Sequence, residues 1–248
     1  MQLLGTVFRV HWSHYWLDLL RGIEVTLQYT VSGFIGAILL GLVLALMRLR
    51  ERSLPAAAAR VFVEAFKNVP LITEIFITYF GLSSIGITLS AFAAGSLALI
   101  AHYGAYLSEV FRSAMKAVDK GQQEAGLALG MSSLGIFRKV VAPQAVLIAL
   151  PGTGTMLVDL LKSTSLMVTI GGAELMTQGQ IITSATFRAL EVYVVVGAIY
   201  FCLCFPLSSL LLYVERRLAR GHPFSWRRLQ LLRLAASLAA PGAPRERP

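Results

Sequence analysis

Long apolar runs punctuated by short clusters of charge set the pattern of this 248-residue chain. Val25–Met47 and Val192–Val214 carry no charge, and each is long enough as a helix to cross ~30 Å of hydrocarbon. A first span is predicted over Ile23–Met47, with Gly33, Gly36 and Gly41 suited to close approach of neighbouring helices. A second, Leu54–Phe80, is interrupted by Arg60, Glu64, Lys67 and Glu74 and broken at Asn68-Val69-Pro70. Charges at membrane depth should face a polar cavity or pair with one another, and Glu64 and Lys67 are one turn apart. A third span covers Ile87–Val110, with His102 expected to pack or hydrogen-bond rather than hold a ligand. The fourth begins near Gln144, and Pro151-Gly-Thr-Gly154 predicts a disrupted helix within the uncharged run Val140–Val158. The fifth, Leu190–Val214, should kink at Pro206. Between the last two, residues 167–188 hold Gly171-Gly172, Gly179 and a Ser/Thr cluster, which favour short gate-like helices over a full span.

The pattern breaks most sharply at residues 119–143, a polar island flanked by apolar sequence. It reads as two short helices. Ala125, Ala128 and Leu129 share a face of the first, Gly130 suits its C-terminal cap, and Ser132 or Ser133 can cap the second. Leu134, Phe137 and Val141 share a face of the second helix, and Pro143 is expected to end the unit. Such a helix–glycine–helix knob is shaped to dock into a groove on a soluble partner; the plainer alternative is a solvated loop.

At both ends the pattern is different. Residues 1–22 place Trp12, Tyr15 and Trp16 on one face, which predicts an interfacial helix on the outer surface, without the features of a secretory signal. Residues 23–217 form the membrane domain, and 218–248 a basic tail. In that tail Trp226, Leu229 and Leu232 suggest a membrane-surface helix, with disorder expected from Ala235.

Composition changes the picture in one respect. With 56% hydrophobic and only 14% charged residues, a soluble core is excluded in favour of an all-α membrane protein. The net charge of +9 could mean nucleic acid, but the cations are not spread evenly. Seventeen of the 22 Lys and Arg fall in three clusters: Arg48–Arg60, Arg112–Lys139 and Arg216–Arg247. All three lie on one side of a five-span topology, whereas Arg9, Arg21 and Arg188 lie on the other. By the positive-inside rule this puts the N-terminus out and the C-terminus in, with contact to anionic lipid and no nucleic-acid role. Cys202 and Cys204 diverge on a helix with no His or acid beside them, so neither metal nor disulfide is expected. No G-x-x-x-x-G-K-[ST] loop is present to bind ATP.

Glu124, Ala125, Gly130, Val140 and Pro143 resemble the E-A-A…G…I-x-L-P loop of permease subunits in binding-protein-dependent ABC importers, with Gly126 at the usual third Ala. Within that family the chain is similar to the polar amino acid (histidine/glutamine/arginine-type) subgroup. VEAFKNVPLITE resembles its E-x-F-R-x-T-P-L-L-V-Q segment, with Lys67 for Arg, Val69 for Thr and Glu74 for Gln. Gly104, Ala105, Tyr106, Glu109 and Arg112 match G-A-Y-x-x-E-x-x-R. Leu150 through Leu166 follow L-P-x-x-x-N-x-x-x-x-L-L-K-D-T-S-L, with Thr155 for Asn and Ser163 for Asp, and Glu174 fits a further E-L.

The resemblance, which covers about Gly22 to Arg217, implies a type I importer permease fold in a bacterial inner membrane. It implies ATPase coupling through Gly121, Glu124, Ala125, Gly130 and Pro143. Asp159 lies one turn beyond Thr155, so both point to one face, and that face is the candidate substrate site on a path with Glu74, Lys162, Thr164 and Ser165; Glu64, Lys67, Pro70, Tyr106, Glu109, Arg112 and Pro151 are candidate structural or gate residues. Asp159 and Lys162 could equally form a structural clasp, as could Glu109 and Arg112. The implied partners are an ATPase dimer holding ATP and Mg (no cofactor belongs to this chain), a second permease, identical or paralogous, and a periplasmic solute-binding protein that delivers an amino acid. Rival readings are a self-sufficient channel or ion-coupled transporter using Glu74 and Asp159, and a non-transporting sensor subunit.

Overall fold

The computed structural model describes residues 10–49 and 53–221, and every regular element among them is helical. The expectations for residues 1–9, for Arg50 and Arg52, and for the tail from His222 onward lie outside the described residues. Helix α1 spans Trp12–Met47 and α2 Leu54–Asn68. Helix α3, Leu71–Phe76, passes through a π turn at Ile77–Gly81 into Leu82–Ser84. Helix α4 covers Ala91–Lys116, α5 Lys120–Ala128 and α6 Ser133–Ile136. A second π turn, Phe137–Val141, leads into α7, Ala142–Ser163, which tightens into a 3-10 segment at Thr164–Ile170. Helices α8, Leu175–Thr186, and α9, Ala189–Gly221, are the last described elements. Among the described residues, three helical stretches are long and apolar enough to cross a membrane: Trp12–Met47, Ser133–Ile170 and Ala189–Arg217.

The bundle is built on α1 against α4. The three glycines of α1 that the sequence singles out face that partner. A Cβ at Gly33 would meet Leu99, one at Gly36 Ile100, and one at Gly41 the Gly104 carbonyl at 3.0 Å. With no side chain between them the helix backbones approach closely, as small residues permit in a bilayer. Tyr29, Leu99, Leu107, Leu160 and Met167 fill the core where α1, α4 and α7 meet. Large apolar side chains such as Val31, Ile35, Leu39, Phe201 and Phe205 stay exposed, as lipid-facing surfaces require.

Three expectations are corrected. Helix α1 runs from Trp12 without interruption past residue 22, because nothing between the aromatic face and the first span breaks a helix. Pro151 does not disrupt α7, which is helical from Ala142 to Ser163. Thr153 and Thr155 donate their hydroxyls to the carbonyls of Ala149 and Pro151, whereas the carbonyl that the proline leaves without its helical N–H is that of Leu147, one turn back. The irregularity comes later, in the 3-10 turns from Thr164. Nor does Pro143 end the polar unit. It sits in the first turn of α7, where a missing N–H costs little, and the π turn just before it absorbs the change of register. The break at Asn68-Val69-Pro70 is present: Val69 and Pro70 are extended between α2 and α3.

Candidate coupling knob and membrane-embedded polar sites

The polar island folds as a compact knob. Asp119 accepts a 2.7 Å hydrogen bond from the Gly121 N–H and caps α5, and Ser132 caps α6 through the Gly135 N–H at 3.2 Å. Gly130 stands between them at φ +75°, the left-handed conformation that an L side chain resists and glycine adopts freely. The two helices close over Gly126, which is buried. A Cβ there would come within 2.9 Å of Ile136, so the glycine in place of the usual alanine leaves room for that side chain. Ile136, Phe137, Val140 and Val141 then pack with Val118 and Ala145 at the foot of the bundle. Gln144 donates to Gln122 at 2.6 Å, tying α7 to α5. The predicted face of Leu134, Phe137 and Val141 is therefore not one packed face. Val141 is buried and Phe137 half-buried, whereas Leu134 is exposed because the π turn rotates the residues that follow it.

Helix α5 has two outward faces. Ala125, Ala128 and Leu129 point to open solvent, and Leu129 is 82% exposed. Lys120, Gln123, Glu124 and Leu127 line a groove beside the span ends. Gly121, Glu124, Ala125, Gly130 and Pro143 are all exposed, so the predicted coupling residues share one accessible knob.

Above the knob an ion cluster ties α1 to α4. Glu109 takes Arg112 Nη2 at 2.9 Å and Arg48 Nη1 at 2.8 Å. The Arg48 contact is an ion pair by distance, since its Nη1–H direction lies outside hydrogen-bond geometry. Arg48 is only 9% exposed. The spacing of Glu109 and Arg112 shows their pairing in the sequence, whereas nothing along the chain joins Arg48 to them. Glu64 and Lys67 do not pair. Asn68 bonds the Glu64 carboxylate and carbonyl, and the Tyr106 hydroxyl reaches the Lys67 carbonyl at 3.3 Å. Both interactions satisfy backbone oxygens freed where α2 ends at Pro70.

The structure separates the residues of the predicted substrate path. Glu74 is 4% exposed on α3, with both carboxylate oxygens 3.1 Å from His102 Nδ1 on α4. Thr155, Asp159 and Lys162 share an open face of α7, where Asp159 and Lys162 are 4.0 Å apart and more than half exposed. An ion pair so open to solvent contributes little to stability. Lys162 and Ser165 also line a cavity of about 350 Å³ with Met176, Tyr193, Gly197 and Tyr200. Thr164 is buried and donates to the Leu161 carbonyl, so it faces the core and not the cavity. Tyr103 and Ser163 hydrogen-bond at 2.8 Å, linking α4 to the end of α7.

One buried polar centre escaped the sequence reading. Glu174, with no exposed surface, caps α8 through the N–H groups of Met176 and Thr177 and accepts from the Tyr200 hydroxyl at 2.8 Å. Burial raises its carboxyl above the usual range, against the lowering effect of those hydrogen bonds. An acid just before a helical run is an N-cap signal, but nothing in the sequence indicates that Tyr200, 26 residues on, comes back to it.

The fold and these sites define an integral membrane component: an apolar helical bundle with buried polar contacts and a rigid polar knob outside it. The chain belongs to the family of binding-protein-dependent transport system inner membrane components, whose model matches residues 37–220. The glutamine transport system permease protein GlnP of Escherichia coli (strain K12) is 34% identical over 212 residues, covering 84% of this chain and 97% of that protein. The probable amino-acid permease protein YxeN of Bacillus subtilis (strain 168) is 33% identical over 82% of this chain and 92% of its own length. A crystal structure of an amino acid ABC transporter with histidines superposes with a TM-score of 0.78 at 35% identity, covering 83% of this chain and 96% of that one. An inward-facing structure of the methionine ABC transporter MetNI shares the fold, with a TM-score of 0.64 at 22% identity over 81% of this chain and 95% of that one.

Proposed function

We propose that this permease subunit carries polar or charged amino acids across a bacterial inner membrane, driven by ATP hydrolysis in separate ATPase subunits. It does so with five spans, N-terminus out and C-terminus in. Two permeases, identical or paralogous, form the path; an ATPase dimer docks on the knob, and a periplasmic solute-binding protein delivers the amino acid. The observation that carries this reading is the capped helix–Gly130–helix knob, with Ala125, Ala128 and Leu129 turned to solvent and its base fixed into the bundle.

The mechanism is alternating access. The knob is packed on Val118 and Ala145 at the ends of α4 and α7, so displacing it moves those helices as bodies rather than bending a loop. The Arg48–Glu109–Arg112 cluster carries α1 along with α4. Nucleotide binding on the ATPases shifts the population between inward- and outward-open states through its differential contact with the knob. The open face of Thr155, Asp159, Lys162 and Ser165 offers a carboxylate for the substrate ammonium and an ammonium for its carboxylate. Glu74 is assigned a supporting role on the path, since His102 occupies both its oxygens.

Uptake into proteoliposomes with the solute-binding protein and the ATPase tests this reading. Transport should require ATP, and the ATPase should co-purify with the chain. Uptake that persists without the ATPase and follows a proton or cation gradient would refute it. Asp159→Asn should weaken apparent affinity or rate; unchanged values in a normally folded variant would remove Asp159 from the path.

A further inference from the structure

Glu174 lies between two tyrosines, and only one of them is satisfied. Its Oε2 accepts from the Met176 N–H at 2.7 Å and from the Tyr200 hydroxyl of α9 at 2.8 Å, while Oε1 accepts from the Thr177 N–H. Tyr29 of α1 stands on the other side. It is 1% exposed, and its hydroxyl has no hydrogen-bond partner among the described residues. That hydroxyl abuts Gly172, two residues before the acid, where a Cβ would come within 2.9 Å of it. The Glu174 carboxyl is near enough to act on it electrostatically. Thr26, one turn before Tyr29 on the same face of α1, already takes the Leu175 N–H at 3.2 Å. A buried hydroxyl without an acceptor is unfavourable, and phenylalanine would fill the same space without that penalty.

The surroundings allow α8 a small shift between its two neighbours. It packs on α1 and α9 through Leu19, Leu175, Ile182, Val192 and Val196. A glycine lies on each seam: Gly22 of α1 against Leu175, and Gly179 of α8 against Val196. No bulky side chain interlocks at either point, so the helices can slide. Gly171, at φ +73° with open space around its Cβ position, lets the chain entering α8 turn without a clash. Release from Glu174 would not strand Tyr200, because the Thr26 and Thr164 hydroxyls stand beside it.

We propose that Tyr29 and Tyr200 exchange the Glu174 carboxyl as α8 shifts between α9 and α1, so that each of two transport states has its own tyrosine on the acid. In the state described here Tyr200 holds it; in the other, Tyr29 does. All three are positioning residues, which set the populations of two arrangements of α8. The proposal rests on the alternating-access reading for its place in the cycle, but not on the identity of the transported amino acid.

The test reads Tyr→Phe variants of the full chain by thermal unfolding in detergent and by ATP-driven uptake in proteoliposomes. Tyr29→Phe removes an unpaired hydroxyl and should raise the melting temperature by about 1–3 °C, yet lower uptake roughly tenfold. Tyr200→Phe should lower the melting temperature by only about 2–4 °C, because Tyr29 takes over the acid. Tyr29→Phe/Tyr200→Phe leaves the acid with neither phenol and should melt lower than the two single shifts added together. A Tyr29→Phe chain that melts below wild type would overturn the proposal, since its hydroxyl would then already have a partner. So would additive shifts in the double variant, or full uptake by Tyr29→Phe. Unfolding needs no ATPase. If the wild type itself showed no ATP-driven uptake, the transport reading would fail while the melting series still decided the exchange.

Discussion

Glu109 and Arg48 answer to unequal losses, and the inequality is measurable. Glu109→Gln leaves the Arg48 guanidinium, only 9% exposed, without a counter-charge. Breaking a buried pair from one side costs about 3–5 kcal/mol; because Glu109 is 23% exposed, water offsets part of this and about 2–3 kcal/mol remains. Arg48→Met is different. Glu109 keeps Arg112 at 2.9 Å, so no buried charge is stranded and the cost falls to about 1 kcal/mol. For a chain of this length about 2–4 °C of melting temperature accompanies each kcal/mol. Glu109→Gln should therefore lower the melting temperature by about 4–12 °C, and Arg48→Met by about 2–4 °C. The assay is thermal unfolding of the purified chain in detergent. The double variant should melt no lower than Glu109→Gln alone, since the stranded charge is gone. Equal losses from the two single variants, or a double variant whose loss is their sum, would refute the cluster as described.

Other substitutions probe the remaining parts. Gly130→Val forces a β-branched residue to φ +75°, costing about 1–2 kcal/mol, and should uncouple ATP hydrolysis from uptake while the bundle stays folded; normal coupling would contradict the rigid knob. Glu124→Lys reverses charge on α5 and should lower ATPase association in pull-down assays, against an unchanged complex if the knob is only a solvated loop. Glu74→Leu strands the half-buried His102 nitrogen and should cost about 1–3 kcal/mol, whereas Glu74→Gln keeps an acceptor and should cost less. Pro151→Ala should leave the fold intact and raise the melting temperature, because α7 is helical through that position; loss of folding would show that the proline is needed.

How far the sequence could be read follows from the range of each signal. The α2–α3 break, the Ser132 cap, the turn at Gly130 and the glycine contacts of α1 are local or periodic, and all are visible along the chain. Proline misled at Pro143, which falls in the first turn of α7 behind a π turn, and at Pro151, through which α7 stays helical. What stayed hidden depends on pairing between distant segments. His102 meets Glu74 across 28 residues, and Tyr200 meets Glu174 across 26. Arg48 finds Glu109 only once Gly41 lets α1 lie close on α4.

The central claim is that a soluble ATPase grips residues 119–143 and works the bundle through them. Cryo-electron microscopy of the assembled transporter with its ATPase, in nucleotide-free and ATP-bound states, tests it most directly. The account predicts Ala125, Ala128 and Leu129 seated in an ATPase groove in both states, with the knob and the ends of α4 and α7 displaced together on ATP binding. A knob facing the exterior, or free of the ATPase in an actively transporting complex, would contradict it.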